Sequence, residues 1–287
     1  MGISACPLCN SEQVRPGVFL LGRFQVNRCA DCRSYFIDPR VWGSLAPHSW
    51  PGELAEERAA YYEKHFRSFR LRTYDRALDH LEALAPKGRL LDVGAGYGTF
   101  LTRALERGWE AQGVESDAEV VRWVEEKQGL PLEQGDFLSA DWSQGPYRVI
   151  TLWDVLEHLP DPRAAVLRAR ELLEPGGMLV LRTPICNALL PGLYRMLYHI
   201  TNSRVTAPLD KLFEFHLWHF DSRAIDGVLE NSGFAIRRFY REPWVNGRTL
   251  HLKSWARSLP LRLGVYGALF LSQVCRQHDE GVWIATR

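Results

Sequence analysis

The chain has 287 residues, of which 46% are hydrophobic and 24% charged, enough for one large globular domain and a small one. Its formal net charge of +1 gives no basic excess for nucleic acid or an anionic membrane, so no nucleic-acid partner is expected. No signal-peptide pattern opens the sequence, and no uncharged apolar run reaches the roughly 18–20 residues of a membrane-spanning helix. We therefore expect a cytoplasmic protein, with peripheral membrane contact left open.

Four of the six cysteines form two pairs near the start of the chain. Two residues separate Cys6 from Cys9 and Cys29 from Cys32, and nineteen residues lie between the pairs. A two-residue gap lets both thiolates bind one ion, and two such pairs complete a closed tetrahedral site. The spacing predicts a structural zinc ion in a small zinc-ribbon-like module over residues 1–45, which takes folding energy from the metal. Free or redox-active cysteines are the alternative interpretation.

Helical spacing of apolar residues follows the module and leads into an alternation of strands and helices. It predicts a helix from about Gly52 to Ala85, in a linker or substrate-covering segment of residues 46–86. Strands are then predicted at Arg89–Val93, Glu110–Glu115, Pro131–Gln134, Tyr147–Trp153 and Met178–Arg182. The helices between them are predicted at Thr99–Arg107, at Asp117–Gln128 with Asp117 as N-cap, and at Pro162–Leu173. This order favours a doubly wound α/β fold with a mostly parallel sheet.

The regular alternation ends after Thr183. Insertions are predicted near residues 184–215 and 248–276 of a domain that spans residues 87–287. A helix is expected at Asp221–Asn231, a strand at Phe234–Tyr240, and a closing strand at Gly281–Thr286. The first insertion contains the apolar stretch Leu189–Ile200, for which core packing, an acceptor pocket and membrane contact all stay open.

A glycine-rich run joins the first strand of the alternation to its first helix. Residues 92–98 read Asp-Val-Gly-Ala-Gly-Tyr-Gly. Glycines at such a junction let the backbone approach a ligand closely, and the helix N-terminus favours polar or anionic groups. The dinucleotide-binding pattern G-x-G-x-x-G would place its third glycine at position 99, where this chain has Thr99.

The run resembles the S-adenosylmethionine (SAM)-binding motif of class I methyltransferases. Further segments follow in that family's order: Glu115 at the end of the second strand, Gly135–Phe137, residues 152–159 and residues 173–177. The resemblance implies a Rossmann-like domain in which Glu115 holds the ribose hydroxyls and Asp136 the adenine amine. The cofactor-binding residues that it implies are Asp92, Gly94, Ala95, Gly96, Gly98, Glu115, Ser116, Asp136, Phe137 and Trp153. For Asp136, a turn or helix cap is the alternative.

The chain also resembles bacterial methyltransferases that carry an N-terminal four-cysteine module, including enzymes that C-methylate nucleotide-linked deoxysugars. The segment His-Leu-Trp-His-Phe-Asp over residues 216–221 carries this narrower resemblance. It implies a small-molecule, sugar, glycan-precursor or lipid acceptor for O- or C-methylation.

Two histidines are the candidate catalytic residues. SAM already carries an activated methyl group, so the protein mainly aligns the nucleophile, and an oxygen or acidic carbon also needs a base near pH 7. His158 follows the fourth strand of the alternation, and His216 lies just before the helix at Asp221. A structural histidine is the alternative for each, and His219 could exchange roles with His216. Glu157 is a candidate for binding the methionine end of SAM or for capping.

Three other functions stay open at this stage. One is an RNA methyltransferase whose zinc module binds RNA. A family of ribosomal RNA guanine methyltransferases also begins with a Cys-Pro-Leu-Cys module. In that family the module typically ends Cys-x3-His, whereas in this chain it ends Cys29-x2-Cys32. Another is a SAM-binding protein without catalytic activity. The most distant is a dinucleotide-dependent oxidoreductase.

Overall fold

The computed structural model describes residues 3–20, 24–38, 55–65, 67–139, 145–187, 216–242 and 278–287. The predicted insertions near 184–215 and 248–276 lie almost entirely outside these described residues, as does the stretch Leu189–Ile200. No helix in the described part of the chain combines the length and apolar character needed to cross a membrane.

The described residues form two sheets and six α-helices. The strands are β1 (Val14–Leu20), β2 (Phe24–Cys29), β3 (Tyr35–Ile37), β4 (Arg89–Val93), β5 (Glu110–Glu115), β6 (Leu132–Gln134), β7 (Tyr147–Trp153), β8 (Leu173–Pro184), β9 (Trp218–His219), β10 (Ala235–Glu242) and β11 (Glu280–Thr286). The helices are α1 (Ala55–His65), α2 (Arg67–Leu84), α3 (Thr99–Glu106), α4 (Ala118–Gln128), α5 (Pro162–Leu172) and α6 (Ser222–Asn231), with a short 3-10 turn at Leu156–His158.

The larger sheet has the strand order β10-β11-β8-β7-β4-β5-β6. Its strands from β8 to β6 are parallel, and β11 is antiparallel to both of its neighbours. The predicted mostly parallel, doubly wound fold is thereby confirmed. The predicted bounds of β4, β5 and β7 match the structure to the residue, and most side chains of β4 and β7 are buried, as expected for inner strands of a parallel sheet.

Strand β8 differs from its prediction. The expected strand Met178–Arg182 is part of a longer one that begins at Leu173 and includes the predicted turn at residues 174–177. Tyr147 pairs with Leu173 and Val149 pairs with Met178, so these four residues bulge opposite a single residue of β7. Gly176, with φ +76°, supplies the left-handed conformation that such a bulge requires. β8 therefore pairs with β7 both before and after the turn.

Two hydrophobic clusters cover the two faces of this sheet. On one face, Tyr74 and Leu78 of α2 pack with α3 against Leu90 and other apolar residues of the strands. On the other, α5 and α6 pack against the neighbouring residue Leu91 and its equivalents. The alternation of Leu90 and Leu91 between the clusters is the two-residue period of a strand. In the region of the predicted helix at 52–85, the described residues form α1 and α2, on either side of residue 66.

The N-terminal module forms a second sheet with a distant segment of the chain. Strands β1, β2 and β3 are consecutive, and β9 pairs antiparallel with β3 through Tyr35↔His219 and Phe36↔Trp218. The rings of Phe36 and Trp218 stack at 5.0 Å, and both are fully buried. The module also shares the α5–α6 cluster, so it packs directly on the larger sheet. The sequence analysis assigned no strands to this region.

Candidate functional site

The glycine-rich run forms a tight bend at the carboxyl end of β4. Gly94, Gly96 and Gly98 have φ values of +66°, +52° and +71°, a region that residues with side chains rarely adopt. The amide N–H groups of Gly94 and Ala95 both donate to the carbonyl oxygen of Val114, at 2.8 and 3.0 Å. A Cβ added to Gly96 would meet no atom within 4 Å. The bend is therefore fixed to β5 and open at Gly96.

Glu115 stands at the end of β5 facing this bend. The Gly96 N–H donates to its Oε2 at 3.0 Å, and the N–H groups of Ser116 and Asp117 donate to its Oε1 at 2.8 and 3.0 Å. Three backbone donors thus fix the orientation of the carboxylate. Oε1 also accepts from the Ser116 hydroxyl at 3.2 Å, whereas Oε2, which accepts from the Gly96 N–H, has a second lone pair for a ligand.

Asp92 lies beneath the bend and is 1% exposed. The hydroxyl of Thr151 donates to its Oδ1 at 2.7 Å. Burial is the main cause that raises the pKa of Asp92 to about 7; the hydrogen bond from Thr151 opposes this rise, and the negative charge of Glu115 contributes to it. The carboxyl is thus partly protonated near neutral pH.

Asp136, another of the predicted cofactor residues, caps a turn near Glu115. Asp136 follows β6 at the same sheet edge, where the N–H of Gly135 donates to the Glu115 carbonyl at 2.9 Å. Its carboxylate accepts from the Leu138 N–H at 3.1 Å and the Ser139 hydroxyl at 3.0 Å, so it caps its own turn.

Phe137 and Trp153 are both buried. The Trp153 ring packs against Tyr74 and Phe100, at 4.9 and 5.0 Å between centroids. That ring belongs to the core beneath α2 and α3, whereas the glycines, Glu115 and Asp136 gather at the edge of the sheet.

Three histidines meet beyond the carboxyl end of β7. His158 ends the 3-10 turn, His216 precedes β9, and their ring centroids are 5.0 Å apart. His219 lies on the other side of His216, at 5.9 Å. The Leu217 N–H donates to the Glu157 carbonyl at 2.9 Å, which ties the second segment to the 3-10 turn. The fold thus brings together the two predicted catalytic histidines.

The electrostatics of this cluster are set by burial. Glu157 is fully buried; its Oε2 accepts from the Thr183 hydroxyl at 2.9 Å, and burial together with the charge of Asp154 raises its pKa to about 8. Burial lowers the pKa of His216 well below its usual value, and His158 and His219 add to this effect. Burial also lowers the pKa of His219 to about 4. The imidazoles of His216 and His219 are therefore neutral at pH 7.

A buried ionic network beside the cluster was missed by the sequence analysis. Asp154 follows β7 with φ +55°, unusual for a residue with a side chain, and its carboxylate pairs with Arg70 and Arg182. Arg182 is fully buried and lies 3.7 Å from Glu280. An arginine within the apolar strand β8 was the available signal, because a buried charge requires a partner.

The glycine bend and the histidine cluster are neighbours. A Cβ on Gly94 would lie 2.5 Å from the Cγ2 atom of Val155, the residue before the 3-10 turn. Ligands of open α/β sheets bind outside the carboxyl ends of the strands. The two groups of residues therefore border the same region of the sheet edge.

The four N-terminal cysteines converge on one point. The sulfur atoms of Cys6 and Cys32 are 3.8 Å apart, those of Cys9 and Cys29 are 3.6 Å apart, and all four lie within 4.8 Å of one another. Four thiolates about 2.3 Å from a tetrahedral zinc ion would be about 3.8 Å apart. The residue after each pair, Asn10 or Arg33, has a positive φ near 60°. The two turns are alike and suit a closed four-thiolate site.

Comparison with known proteins shows which family this chain resembles. A family model described as a methyltransferase domain matches residues 64–238, more than half of the chain. Curated relatives include ubiquinone biosynthesis O-methyltransferases from Pseudomonas aeruginosa, 28% identical over 112 residues, and Aeromonas salmonicida, 36% identical over 102 residues. These matches cover 37% and 33% of this chain. The chain spans about half the length of these relatives, 48% and 42%.

Solved structures show the same fold at low identity. A mycolic acid cyclopropane synthase complexed with SAH and CTAB aligns with a TM-score of 0.54 at 19% identity, over 76% of this chain and 84% of the other. A SAM-dependent methyltransferase from Archaeoglobus fulgidus aligns with a TM-score of 0.51 at 16% identity, over 80% of this chain and 99% of the other. At such identities the likeness extends to the fold alone.

Proposed function

The chain belongs to the methyltransferase domain family, and on that premise we propose that it transfers the methyl group of SAM to an oxygen or acidic carbon of a small-molecule acceptor. Sugars, glycan precursors and lipids are the acceptor classes. The similarity to ubiquinone biosynthesis O-methyltransferases supports oxygen as the methylated atom. The observation that carries the proposal is the Glu115 carboxylate, fixed by the Gly96 N–H opposite an open glycine bend.

SAM binding is assigned to the residues around this bend. Glu115 would accept hydrogen bonds from the two ribose hydroxyls, strengthened by its charge. Gly94, Ala95 and Gly96 would let the cofactor lie against the backbone, and Asp136 would lie near the adenine. When bound, SAM supplies a methyl group on a positively charged sulfur, which needs alignment more than activation.

The acceptor is assigned to the side of the sheet edge that the histidines occupy. His216 and His158 are the proposed catalytic residues, because a neutral imidazole can remove a proton from an acceptor hydroxyl. Val155, which precedes the turn that carries His158, packs beside Gly94, so the proton acceptor and the methyl donor would border one cleft. Burial around Glu157 and His219 limits water near this point.

A structural zinc ion is assigned to Cys6, Cys9, Cys29 and Cys32. The sulfur separations of 3.6 and 3.8 Å support four-thiolate coordination. Four protein ligands would leave no open position, so the ion would stabilise the module and take no part in methyl transfer.

The test combines calorimetry with an assay of S-adenosylhomocysteine (SAH) formation on a panel of phenolic, sugar-nucleotide and lipid acceptors. We expect SAM to bind, and His216→Gln to lower kcat by at least about 100-fold with little change in the Kd of SAM. The matched control is His80→Gln, a histidine that packs beside Tyr240 away from the cluster. Absence of SAM binding, or binding without turnover of any acceptor, would overturn the proposal.

A further inference from the structure

Glu157, His158 and His216 form a second cluster of side chains of the kinds that ligate metals, outside the cysteine module. One ligand atom of each lies within 4.8 Å of the other two. The Oε1 atom of Glu157 and the Nδ1 atom of His216 are buried and have no hydrogen-bond partner. Leaving such a buried group unsatisfied is unfavourable, because its hydrogen bonds to water are lost and not replaced. The cluster therefore lacks a binding partner for these atoms, and a cation that accepts lone pairs from several ligands would fit this need.

We propose that Glu157, His158 and His216 bind a divalent transition-metal ion. Two imidazoles and one carboxylate form a ligand set suited to zinc, cobalt, iron or manganese, and ligand atoms lie about 2.0–2.2 Å from such an ion. Atoms bound to one ion are then at most about 4.4 Å apart, so small side-chain rotations close the set. Three protein ligands leave at least one position open, unlike the four thiolates of the cysteine module.

The surroundings of Glu157 already orient it for this role. The Thr183 hydroxyl donates to Oε2 at 2.9 Å, which leaves the buried Oε1 atom as the oxygen available to a ligand. The Leu217 N–H and the indole N–H of Trp218 hold the second segment against the 3-10 turn, through the carbonyls of Glu157 and Leu159 at 2.9 and 3.0 Å. Hydrogen bonds that fix metal ligands in this way commonly change metal affinity by 10- to 100-fold.

The place of the ion in the reaction rests on the proposed function. An acceptor oxygen at the open position would lose its proton more readily, because the cation stabilises the oxyanion. The acceptor O–H bond breaks and its proton passes to water; the new O–C bond then forms as the C–S bond of SAM breaks and SAH leaves. In the loaded protein the histidines would act through the ion as its ligands.

Cobalt(II) titration of the full chain tests the site. The protein is first dialysed against a chelator until one zinc per chain remains, so that the cysteine module stays filled. We expect one further equivalent of Co²⁺, with a visible spectrum that lacks the intense sulfur-to-cobalt charge-transfer band of thiolate ligands. Glu157→Gln and His216→Gln should each weaken Co²⁺ binding by at least about 10-fold, and His80→Gln should leave it unchanged.

The variants are chosen to keep the fold. Glutamine at position 157 can still accept the hydrogen bond from Thr183, and near-ultraviolet circular dichroism checks the packing. If Glu157→Gln unfolds, His158→Gln at a partly exposed position repeats the test. No uptake of Co²⁺ by the native chain, or equal uptake by the cluster variants, would overturn the metal site. SAM calorimetry on the same samples separates that result from a failure of the proposed function.

Discussion

The two sides of the proposed active site are built in different ways. The glycine bend follows β4 and Glu115 ends β5, two strands that are neighbours in the chain and in the sheet, and the Gly96 N–H links the two. The histidine side joins residues 157–158 to residues 216–219, and β9 in that second segment pairs with β3 of the cysteine module. The cofactor side therefore depends on local backbone geometry, and the acceptor side depends on the docking of the N-terminal module.

The largest effect should come from removing a cysteine ligand. Cys29→Ser should abolish zinc binding and lower the free energy of unfolding by about 4–5 kcal/mol, as loss of a structural metal does. Because β3 then loses its fixed position beside β9, turnover should disappear while the Kd of SAM changes less than about 3-fold. Metal analysis, urea unfolding and calorimetry measure the three quantities. Cys186→Ser, outside the quartet, is the control and should keep the zinc. A parallel loss of SAM affinity would show that the two sides are not independent.

The converse experiment addresses the cofactor side. Gly96→Arg should weaken SAM binding by at least about 100-fold, or about 2.7 kcal/mol, because the side chain would enter the open side of the bend. Zinc content should not change. Gly108→Arg is a matched control, since Gly108 also has a positive φ of +82° and open surroundings but lies at the far end of α3. Calorimetry should show native affinity for Gly108→Arg; if Gly96→Arg also binds normally, the pocket is misassigned.

The smallest effect concerns the pH dependence of stability that Asp92 causes on the cofactor side. Asp92 has a pKa of about 7 in the folded chain, against about 3.9 when unfolded, so the folded state holds more protons between these values. Stability should therefore fall as the pH rises from about 4 to 7 and level off above 7. Asp92→Asn keeps an acceptor for Thr151 and should flatten this slope, with a gain on the order of 2 kcal/mol at pH 8. Urea unfolding without SAM measures both slopes, and parallel slopes would contradict the assignment.

What the sequence could predict also differs between the two sides of the proposed active site. The glycine run, the acid at the end of β5 and the cysteine spacing are local patterns, and the residues that they predict lie close together in the structure. The strands of the module carried no clear alternation, and β9 has only two residues, so neither could be recognised along the chain. The Asp154–Arg182 pair was missed because its partners lie on different strands.

By itself the sequence determined the α/β class and most elements of the parallel sheet, and it predicted the chemistry of its three motifs. These follow from the period of the hydrophobic residues and from the backbone freedom of glycine, both of which act over a few residues. Only the tertiary structure decided that Glu157, His158 and His216 share one cluster. It also decided that β3 of the cysteine module pairs with β9, the strand that follows His216. Contacts between distant segments depend on how whole layers pack, which no local pattern in the chain encodes.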